Sequence, residues 1–374
     1  MRPRKLWTRS HFNMQVSRPV LINNLKKVVA FMPRVKTSVS AGVVVVDPLK
    51  DSIRLTLSYP EASIQTTVGA LSEESEGQVR IHGHKFLDIV AASEKEITFK
   101  SDESFVEFRS GSSMWKEPMP TSPVIKIVCP KERVCGVDSY ALLTAFNTTK
   151  YAIDQDTARP ALYMVDVVDG RVRACNGFQY HDVDTKTKGL TFSVPGGMID
   201  GFCSVLRHFD GEADFFEDDK SYYFKNGGDT ISIHKLAASF PDLDRLLVRS
   251  LRSEIPSLLQ VQRKDLITAV KRVKLALDEN YPYIELHINK TEVVVRGTQK
   301  AGAEAATKIA ASWASKPRVA TFNVKYLLQT LNSLSDGLLE LRFGADTKSK
   351  KSPMVMEGSG TWTMLNQSNL SKRA

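Results

Sequence analysis

The residue types that do catalytic or metal chemistry are sparse in this sequence, and none stands in a complete motif. His82 and His84 have the spacing that places two imidazoles on one face of a strand, but no third metal ligand is identifiable nearby. The acidic runs 154–156 and 217–219 resemble acid–base pairs, yet both lie in polar, turn-like stretches typical of solvated loop charge. Cys175 lacks a histidine partner, so we interpret it as a small buried residue.

Longer signatures of enzyme chemistry are missing as well. The sequence contains no phosphate-binding glycine loop of the form GxxxxGK[ST] or GxGxxG, and neither HExxH nor GxSxG. We therefore expect no catalytic residue, no metal and no cofactor. The four cysteines form no CxxC pair and no signal-peptide core follows the basic N terminus, which predicts reduced thiols in a cytoplasm.

Length and composition indicate a globular protein of two or three domains. The chain has 374 residues, of which 42% are hydrophobic and 25% charged. Its apolar runs are far shorter than the roughly 20 residues that cross a bilayer, so an integral membrane protein is excluded.

Basic residues outnumber acidic ones by nine, and the excess is unevenly placed. It lies in the N-terminal tail and in the last third of the chain, whereas the middle third is acidic. Lysine and arginine recur on or beside the polar faces of the predicted helices, and we take these as candidate phosphate contacts: Lys26, Lys27, Arg34, Lys85, Lys150, Arg207, Lys264, Lys271, Lys274 and Lys325. Each alone is an ordinary solvated charge. Their recurrence predicts a surface that binds nucleic acid through phosphate without reading bases.

Apolar residues at helical spacing predict six helices, over 18–32, 83–93, 137–151, 196–208, 263–277 and 323–334. The odd-numbered helices begin at nearly equal intervals along the chain, and so do the even-numbered ones. Because the interval is close to the size of a domain, the pattern predicts one unit used three times.

Short β-rich runs separate these helices, at 53–57, 79–81, 96–99, 163–168, 190–194, 214–216, 284–288, 319–322 and 338–341. Asn226-Gly227 between two such runs predicts a hairpin. Each unit therefore reads as helix, strands, helix, strands, an α+β fold in which two helices cover an antiparallel sheet.

We place a basic tail at 1–13, or a translation start at Met14, followed by domains at 14–120, 121–250 and 251–374. Prolines between residues 118 and 123 mark the first junction, and the second lies around 248–253.

With that organisation in view, three local strings resemble the bacterial DNA polymerase III β subunit family, the sliding clamps. They are Arg159-Pro160-Ala161-Leu162 leading through Asp169-Gly170 to Ala174–Tyr180, Phe240-Pro241-Asp242-Leu243 with Arg245, and Phe322–Leu328. The resemblance covers residues 14–365. It implies three clamp domains per chain, a head-to-tail homodimeric ring around double-stranded DNA, and a non-catalytic processivity factor. Its implied partners are a replicative DNA polymerase and a clamp loader, in the cytoplasm at the nucleoid.

The resemblance also implies two protein contacts. The strand at Ser113-Met114-Trp115 would meet the partner chain near Leu275, although Trp115 can equally be a core aromatic. A pocket for apolar peptide segments of polymerase and loader would comprise Leu162, Cys175, Gly177, Phe178, Tyr180, Pro241, Arg245, Leu246, Met364 and Leu365. These residues can equally form an inter-domain core.

Two departures from the family pattern bear on partner choice. The family usually has a Thr-Asp-Gly-His-Arg-Leu run where this chain has Cys175–Tyr180, and it usually stops near a Met-Pro-Met segment, whereas this chain continues past Met364 to Ala374. We therefore expect a divergent member, phage- or plasmid-encoded and acting in a host cytoplasm, whose pocket does not bind host motifs with normal affinity.

Two other functions stay open at this stage. A clamp-fold DNA-binding or regulatory protein that forms no ring would be a 41.7 kDa monomer. A three-domain hydrolase with unrecognised catalytic residues would lose its activity on substitution of a single Asp, His or Cys.

Overall fold

The computed structural model describes residues 12–32, 42–71, 77–102, 104–121, 127–243, 257–299, 302–344, 353–358 and 361–367. The helices within these ranges are α1 (Arg18–Ala30), α2 (Gly83–Ala92), α3 (Ser139–Thr149), α4 (Ile199–Leu206), α5 (Arg263–Lys274) and α6 (Val324–Ser333). All six predicted helices are thus confirmed to within a few residues. Predictions for Arg34, Arg245, Leu246, the second domain junction and residues 1–11 lie outside the described ranges.

The strands of the first third are β1 (Phe12–Ser17), β2 (Val43–Leu49), β3 (Ser52–Ser58), β4 (Ala62–Gly69), β5 (Val79–His82), β6 (Glu96–Ser101), β7 (Phe105–Ser110) and β8 (Ser113–Pro118). Those of the middle third are β9 (Cys135–Asp138), β10 (Met164–Val168), β11 (Arg171–Cys175), β12 (Gln179–Asp184), β13 (Phe192–Pro195), β14 (Glu212–Glu217), β15 (Ser221–Asn226) and β16 (Asp229–His234). Those of the last third are β17 (Ser257–Gln262), β18 (Tyr283–Ile288), β19 (Glu292–Thr298), β20 (Glu304–Trp313), β21 (Arg318–Asn323), β22 (Leu338–Phe343), β23 (Met354–Gly358) and β24 (Thr361–Leu365).

The chain forms two compact units, unit 1 (Met1–Leu143 and Gly197–Leu236) and unit 2 (Thr144–Gly196 and Ala237–Ala374). Unit 1 holds a four-stranded sheet, β1-β6-β7-β8, and an eight-stranded sheet, β5-β2-β3-β4-β16-β15-β14-β9. Unit 2 holds one twelve-stranded sheet, β13-β10-β11-β12-β24-β23-β22-β17-β20-β19-β18-β21. The middle third contributes strands to both units, and the domain boundaries at 120 and 250 stay a prediction.

Strand order repeats three times along the chain. One set of four follows the order β1-β6-β7-β8, β9-β14-β15-β16 and β17-β22-β23-β24. The other follows β5-β2-β3-β4, β13-β10-β11-β12 and β21-β18-β19-β20. Each third therefore builds two antiparallel sets around two helices, which confirms the prediction of one α+β unit used three times.

The odd-numbered helices also begin in the same way. In each, the first N–H donates to a carbonyl just beyond the even-numbered helix: Arg18 to Lys95 at 2.9 Å, Ser139 to Gly211 at 3.1 Å and Arg263 to Gly337 at 3.0 Å. A first-turn N–H has no acceptor inside its own helix, so this bond pairs a donor that would otherwise lack a hydrogen-bond partner within the protein.

Arginine strengthens this contact in the first and last repeats. The Arg18 guanidinium donates to the carbonyls of Val90 and Ala91 at the end of α2. Arg263 donates at 2.7 Å to the carbonyl of Leu331 near the end of α6. The C-terminal carbonyls of a helix carry partial negative charge, so a guanidinium there bonds the free acceptors and favours the helix dipole.

Apolar helix faces close the cores as the periodicity predicts. In unit 1, Phe86 of α2 lies 6.0 Å from Phe99 and 5.6 Å from Phe108, measured between ring centroids. In unit 2, Leu266 and Val270 of α5 are buried in one cluster with α6 and the surrounding strands. None of the helices in the described ranges is long and apolar enough to cross a membrane.

Candidate functional sites

The chemistry-bearing residues of the sequence scan do not assemble into a catalytic or metal centre. His82 and His84 do not lie together on one strand, because β5 ends at His82 and His84 already belongs to α2. Within the described ranges, no group of three or more His, Cys, Asp or Glu residues is arranged to hold a metal ion. The buried Cys175 thiol has a pKa raised by desolvation, which lowers its fraction of nucleophilic thiolate.

The basic residues of unit 1 fall into two groups. Lys26 of α1 and Arg207 after α4 are exposed. Lys27 is engaged: its Nζ lies 2.6 Å from Asp229 Oδ2, and its side chain is 13% exposed. Lys85 is exposed but pairs with Glu117 of β8 at 3.4 Å. In unit 1, Lys26 and Arg207 are thus the assigned cations best placed to contact a phosphate.

The basic residues of α5 in unit 2 form a denser set. Lys264, Lys271 and Lys274 are all exposed, and Lys264 keeps a 79% exposed side chain although it lies 3.8 Å from Asp336. Arg272, which the sequence analysis did not single out, is exposed beside them. Three of these cations lie in the last helical turn, where the helix dipole favours positive charge.

The remaining two assigned cations lie close to a cleft in unit 2. Lys150 is half-buried, with its Nζ 5.8 Å from the Tyr151 ring centroid. Lys325 is exposed and lines the cleft itself. The cleft has a volume of about 390 Å³, and its walls are Tyr151, Ile153, Asp154, Gln155, Arg159, Asn176, Phe178, Lys325, Tyr326 and Gln329.

Phe178 projects into this cleft from a tight turn between β11 and β12. The Asn176 side-chain oxygen accepts hydrogen bonds from the N–H groups of Phe178 and Gln179, both at 3.0 Å. Gly177 takes a φ of +82°, a conformation that glycine adopts without strain. Phe178 is 56% exposed, and its ring stacks on Tyr326 of α6 with centroids 5.3 Å apart. The turn therefore presents an aromatic pair at the surface.

A buried polar network supports the cleft from below. The Gln179 amide donates to the carbonyl of Tyr151, and its oxygen accepts from the Thr330 hydroxyl at 3.2 Å. His181 is fully buried; its Nδ1 lies 2.8 Å from the Thr148 carbonyl and its Nε2 lies 3.4 Å from the Thr330 hydroxyl. Desolvation lowers the pKa of His181 to about 4, so its imidazole is neutral near pH 7.

The pocket residues implied by the family resemblance divide between surface and core. Cys175, Tyr180 and Met364 are buried in one cluster with Leu243 and Val355. Leu162 packs against that cluster, Leu365 is buried in the larger core of unit 2, and Pro241 is half-buried. Gly177 and Phe178 are exposed. Their shared role in peptide binding stays a prediction, and a ligand reaches the buried members only by displacing side chains.

Asp154 is more enclosed than solvated loop charge would be. Its side chain is 16% exposed and lies 3.4 Å from the Arg159 guanidinium, which also lies 3.8 Å from Asp156. One member of this acidic run therefore belongs to the wall of the cleft.

The two residues implied at a subunit interface are both accessible. Trp115 lies half-buried on β8, which in the described part of the chain pairs with β7 on one side and leaves its other edge open. Leu275 directly follows α5 and is 88% exposed. Met114, beside Trp115, is 58% exposed. Large apolar side chains at such exposure are typical of contact surfaces.

Family models match both ends of the chain. The model for the N-terminal domain of the DNA polymerase III beta subunit matches residues 12–123, and the model for its C-terminal domain matches residues 251–359. Together they cover more than half of the chain.

The chain belongs to the DNA polymerase III beta subunit family.

Solved sliding clamps have the same fold. The Bartonella birtlesii clamp bound to griselimycin is 19% identical with a TM-score of 0.83, over 96% of this chain and 99% of that one. The Pseudomonas aeruginosa clamp with ligand is 18% identical with a TM-score of 0.85, and the Thermotoga maritima beta subunit is 15% identical with a TM-score of 0.85. Both of these cover 96% of this chain and 100% of their own. No curated protein matches the sequence.

Sequence reasoning missed Tyr151, Tyr326 and Gln329 as members of this clamp's cleft. Tyr326 belongs to the family-like string 322–328, and the sequence pattern predicts a DNA contact for its neighbour Lys325. Helical periodicity marks the polar face on which such residues stand. It does not show which distant turn packs against that face.

Proposed function

We propose that this protein is a DNA sliding clamp: a homodimeric ring that encircles double-stranded DNA and tethers a replicative polymerase. The observation that carries the proposal is the series of strand contacts between repeats. In unit 1, β4 of the first repeat pairs with β16 of the second. In unit 2, β12 of the second repeat pairs with β24 of the third. We call these two contacts joint 1 and joint 2.

The third contact of the series is not made within one chain, because both of its strands have an open edge. By the same plan, β20 of the third repeat would pair with β8 of a first repeat. β20 pairs with β19 along its length but with β17 only at residues 311–313, so within the described ranges residues 304–310 leave one edge without a strand. β8 has an open edge as well. Two chains that each offer both edges close a ring head to tail.

Exposed apolar side chains support this closure. Met114 lies on the open strand β8, and Leu275 follows α5 in the repeat that supplies β20. An unprotected strand edge is a template for pairing, and proteins normally cover one that carries apolar groups. A second copy of the chain covers both edges at once.

The basic helices supply the attraction for DNA. Exposed lysine and arginine on α1 and α5, together with Arg207, bind phosphate, and such contacts weaken as salt rises and depend little on sequence. Mobile contacts of this kind permit sliding. A polymerase held to the ring rebinds its primer end at an effective concentration on the order of mM, so the clamp needs no catalytic group of its own.

Partner proteins, a polymerase and a clamp loader, would dock through short segments at the Phe178 turn. The stacked Phe178 and Tyr326 rings offer an exposed apolar wall with polar groups around it. Sites for linear motifs combine these features.

Retention on DNA tests the proposal. Clamp loaded on nicked circular DNA should remain bound at a salt concentration that removes it from linearised DNA of the same sequence. Replacing Lys264, Lys271 and Lys274 with Glu should reduce retention on the circle and leave the molar mass unchanged.

The matched control is the triple change Lys188→Glu, Lys290→Glu and Lys316→Glu, which alters net charge equally at exposed sites off the helices. Equal retention on circular and linear DNA would refute encirclement. A loss with the control set that equals the loss with the α5 set would refute the assignment of α5 as the DNA-contacting helix.

A further inference from the structure

Lys325 stands apart from the other lysines assigned to DNA, because it lines the cleft beside Phe178 and Tyr326. We infer that Lys325 pairs with an acidic side chain of the partner segment that docks in this cleft, and thereby selects acidic segments. The inference rests on the proposed function to the extent that partner segments dock here. It assigns Lys325 to protein recognition instead of to DNA.

The charges of the cleft leave Lys325 available. Arg159 is engaged by Asp154 at 3.4 Å and by Asp156 at 3.8 Å. Lys325 is exposed, and its ammonium has no ion-pair partner among the residues that the structure describes. A ligand carboxylate is therefore the group that would complete the charge pattern of this cleft.

The position of Lys325 in its helix argues against a purely structural role. α6 begins at Val324, and the Asn323 side chain accepts the N–H of Lys325 at 2.9 Å as an N-cap. Lys325 thus lies in the first turn, where the helix dipole disfavours positive charge. On α5 the opposite holds, since Lys271 and Lys274 lie in the last turn. The helix dipole therefore favours Lys271 and Lys274 but does not favour Lys325, nor Lys264 in the first turn of α5.

The remaining walls define the chemistry of the partner. The exposed face of the Phe178–Tyr326 pair suits an aromatic or branched apolar side chain, which stacks or packs at low entropic cost. The amide side chains of Asn176 and Gln329 lie in the same cleft and can bond a peptide backbone. Asp154 and Asp156 lie close by and would repel successive phosphates of a DNA strand. A peptide with one carboxylate beside an apolar pair fits better than a polyanion.

The experiment compares two peptides that differ at one residue, an aspartate in one and a lysine in the other. Fluorescein-labelled, amidated Gly-Asp-Leu-Phe-Gly and Gly-Lys-Leu-Phe-Gly are titrated with the full-length protein and followed by anisotropy. The wild-type protein should bind the acidic peptide about fivefold more tightly, the ratio expected for a partly screened ion pair. Lys325→Gln should remove the preference and Lys325→Glu should reverse it. Raising the salt concentration should shrink the preference in the wild type.

Control variants separate this effect from folding and from DNA binding. Lys325→Glu places an acid in the first helical turn, so its thermal midpoint should not fall. Lys271→Glu should keep the acidic preference. Phe178→Ala should weaken both peptides equally.

Three results would overturn the inference. An unchanged preference in Lys325→Glu would show that Lys325 does not contact the ligand. Binding of neither peptide would remove the cleft as a docking site. Loss of circular-DNA retention in Lys325→Glu as large as in the α5 triple variant would assign Lys325 to DNA. Failure of the clamp function itself would appear separately, as equal retention of the wild-type protein on circular and linear DNA.

Discussion

Joints 1 and 2 use the same backbone plan, but within the ranges that the structure describes only joint 1 has an enclosed ion pair that crosses between repeats. Both pair the last strand of one four-stranded set with the last strand of another. At joint 1, Lys27 and Asp229 form an ion pair at 2.6 Å with both side chains almost enclosed, and the Thr66 hydroxyl donates to the same carboxylate. At joint 2, the polar pair that links β12 to the third repeat is neutral, because Gln179 and Thr330 bond each other beneath the cleft. The enclosed carboxylate of β12, Asp182, pairs with Arg171 of the neighbouring strand within its own repeat.

The difference shows what the repeat does and does not specify. Strand order is inherited by every repeat, because alternating apolar residues fix the face and register of each strand. The polar side chains at each joint come from residues far apart in sequence, and the two joints use different residues. A buried charge has one acceptable partner, whereas an amide and a hydroxyl can exchange partners at lower cost.

The largest effect should follow from breaking joint 1. Asp229→Ala leaves the Lys27 ammonium enclosed without its carboxylate, and we expect a loss of roughly 3–5 kcal/mol in the free energy of unfolding. Urea denaturation measures it. The double variant Lys27→Met/Asp229→Ala should recover most of the loss, because the unpaired charge is gone. A single variant that costs less than about 1 kcal/mol would show that the ion pair does not hold the joint.

Acid should weaken joint 2. His181 has a folded-state pKa of about 4 because of desolvation, below its unfolded value of about 6.5. Burial favours the neutral imidazole. The contribution of His181 to the free energy of unfolding is therefore fully present above pH 6.5 and is lost as the pH falls from 6.5 to 4. The loss should approach roughly 3 kcal/mol at the lower end.

The matched measurement compares His181→Gln with the wild type across this pH range. His208 in unit 1 also has a pKa lowered by burial, so the difference between the two proteins isolates His181. The wild type should be the more acid-sensitive of the two. Parallel stability profiles would contradict a buried neutral His181.

A smaller effect should follow from Thr330→Val, which removes the hydroxyl between Gln179 and His181 while keeping the side-chain shape. We expect a cost of about 1–2 kcal/mol, since one buried acceptor loses its donor. Because α6 carries both Thr330 and Tyr326, the variant should also weaken peptide binding at the cleft. Ser333→Ala, on the same helix, is the control and should leave peptide affinity unchanged. Equal peptide affinity in Thr330→Val and the wild type would show that the packing at joint 2 does not influence peptide binding at the cleft.

The sequence predicted the secondary elements well because each depends on local spacing. The stripe Leu266, Val270 and Val273 fixes α5, and Asn226-Gly227 fixes the β15–β16 turn, where Gly227 has a φ of +56°. It did not predict the joints. Lys27 stands on a polar helix face with Lys26, and its partner lies 202 positions away. Periodicity separates polar from apolar faces but does not choose partners at that distance.

The candidate cleft was predicted in part. The family-like strings identified Phe178 through a resemblance, but the residues that complete its aromatic wall come from the far end of the chain. The polar neighbours of Asp154 predict solvated loop charge, but its side chain is 16% exposed and lies 3.4 Å from the Arg159 guanidinium. The sequence does not distinguish the buried members of the implied pocket from the exposed ones, since apolar side chains occur both in cores and at surfaces.

The solution molar mass tests the central claim, that the open edges of β8 and β20 close between two copies of this chain. Light scattering should give twice 41.7 kDa for the wild type. Leu275→Asp should shift the mass toward one chain, while Leu338→Asp, a change of the same kind at another exposed leucine, should leave a dimer. A wild-type mass of 41.7 kDa at micromolar concentration would contradict ring closure, and a dimer unaffected by Leu275→Asp would place the contact elsewhere.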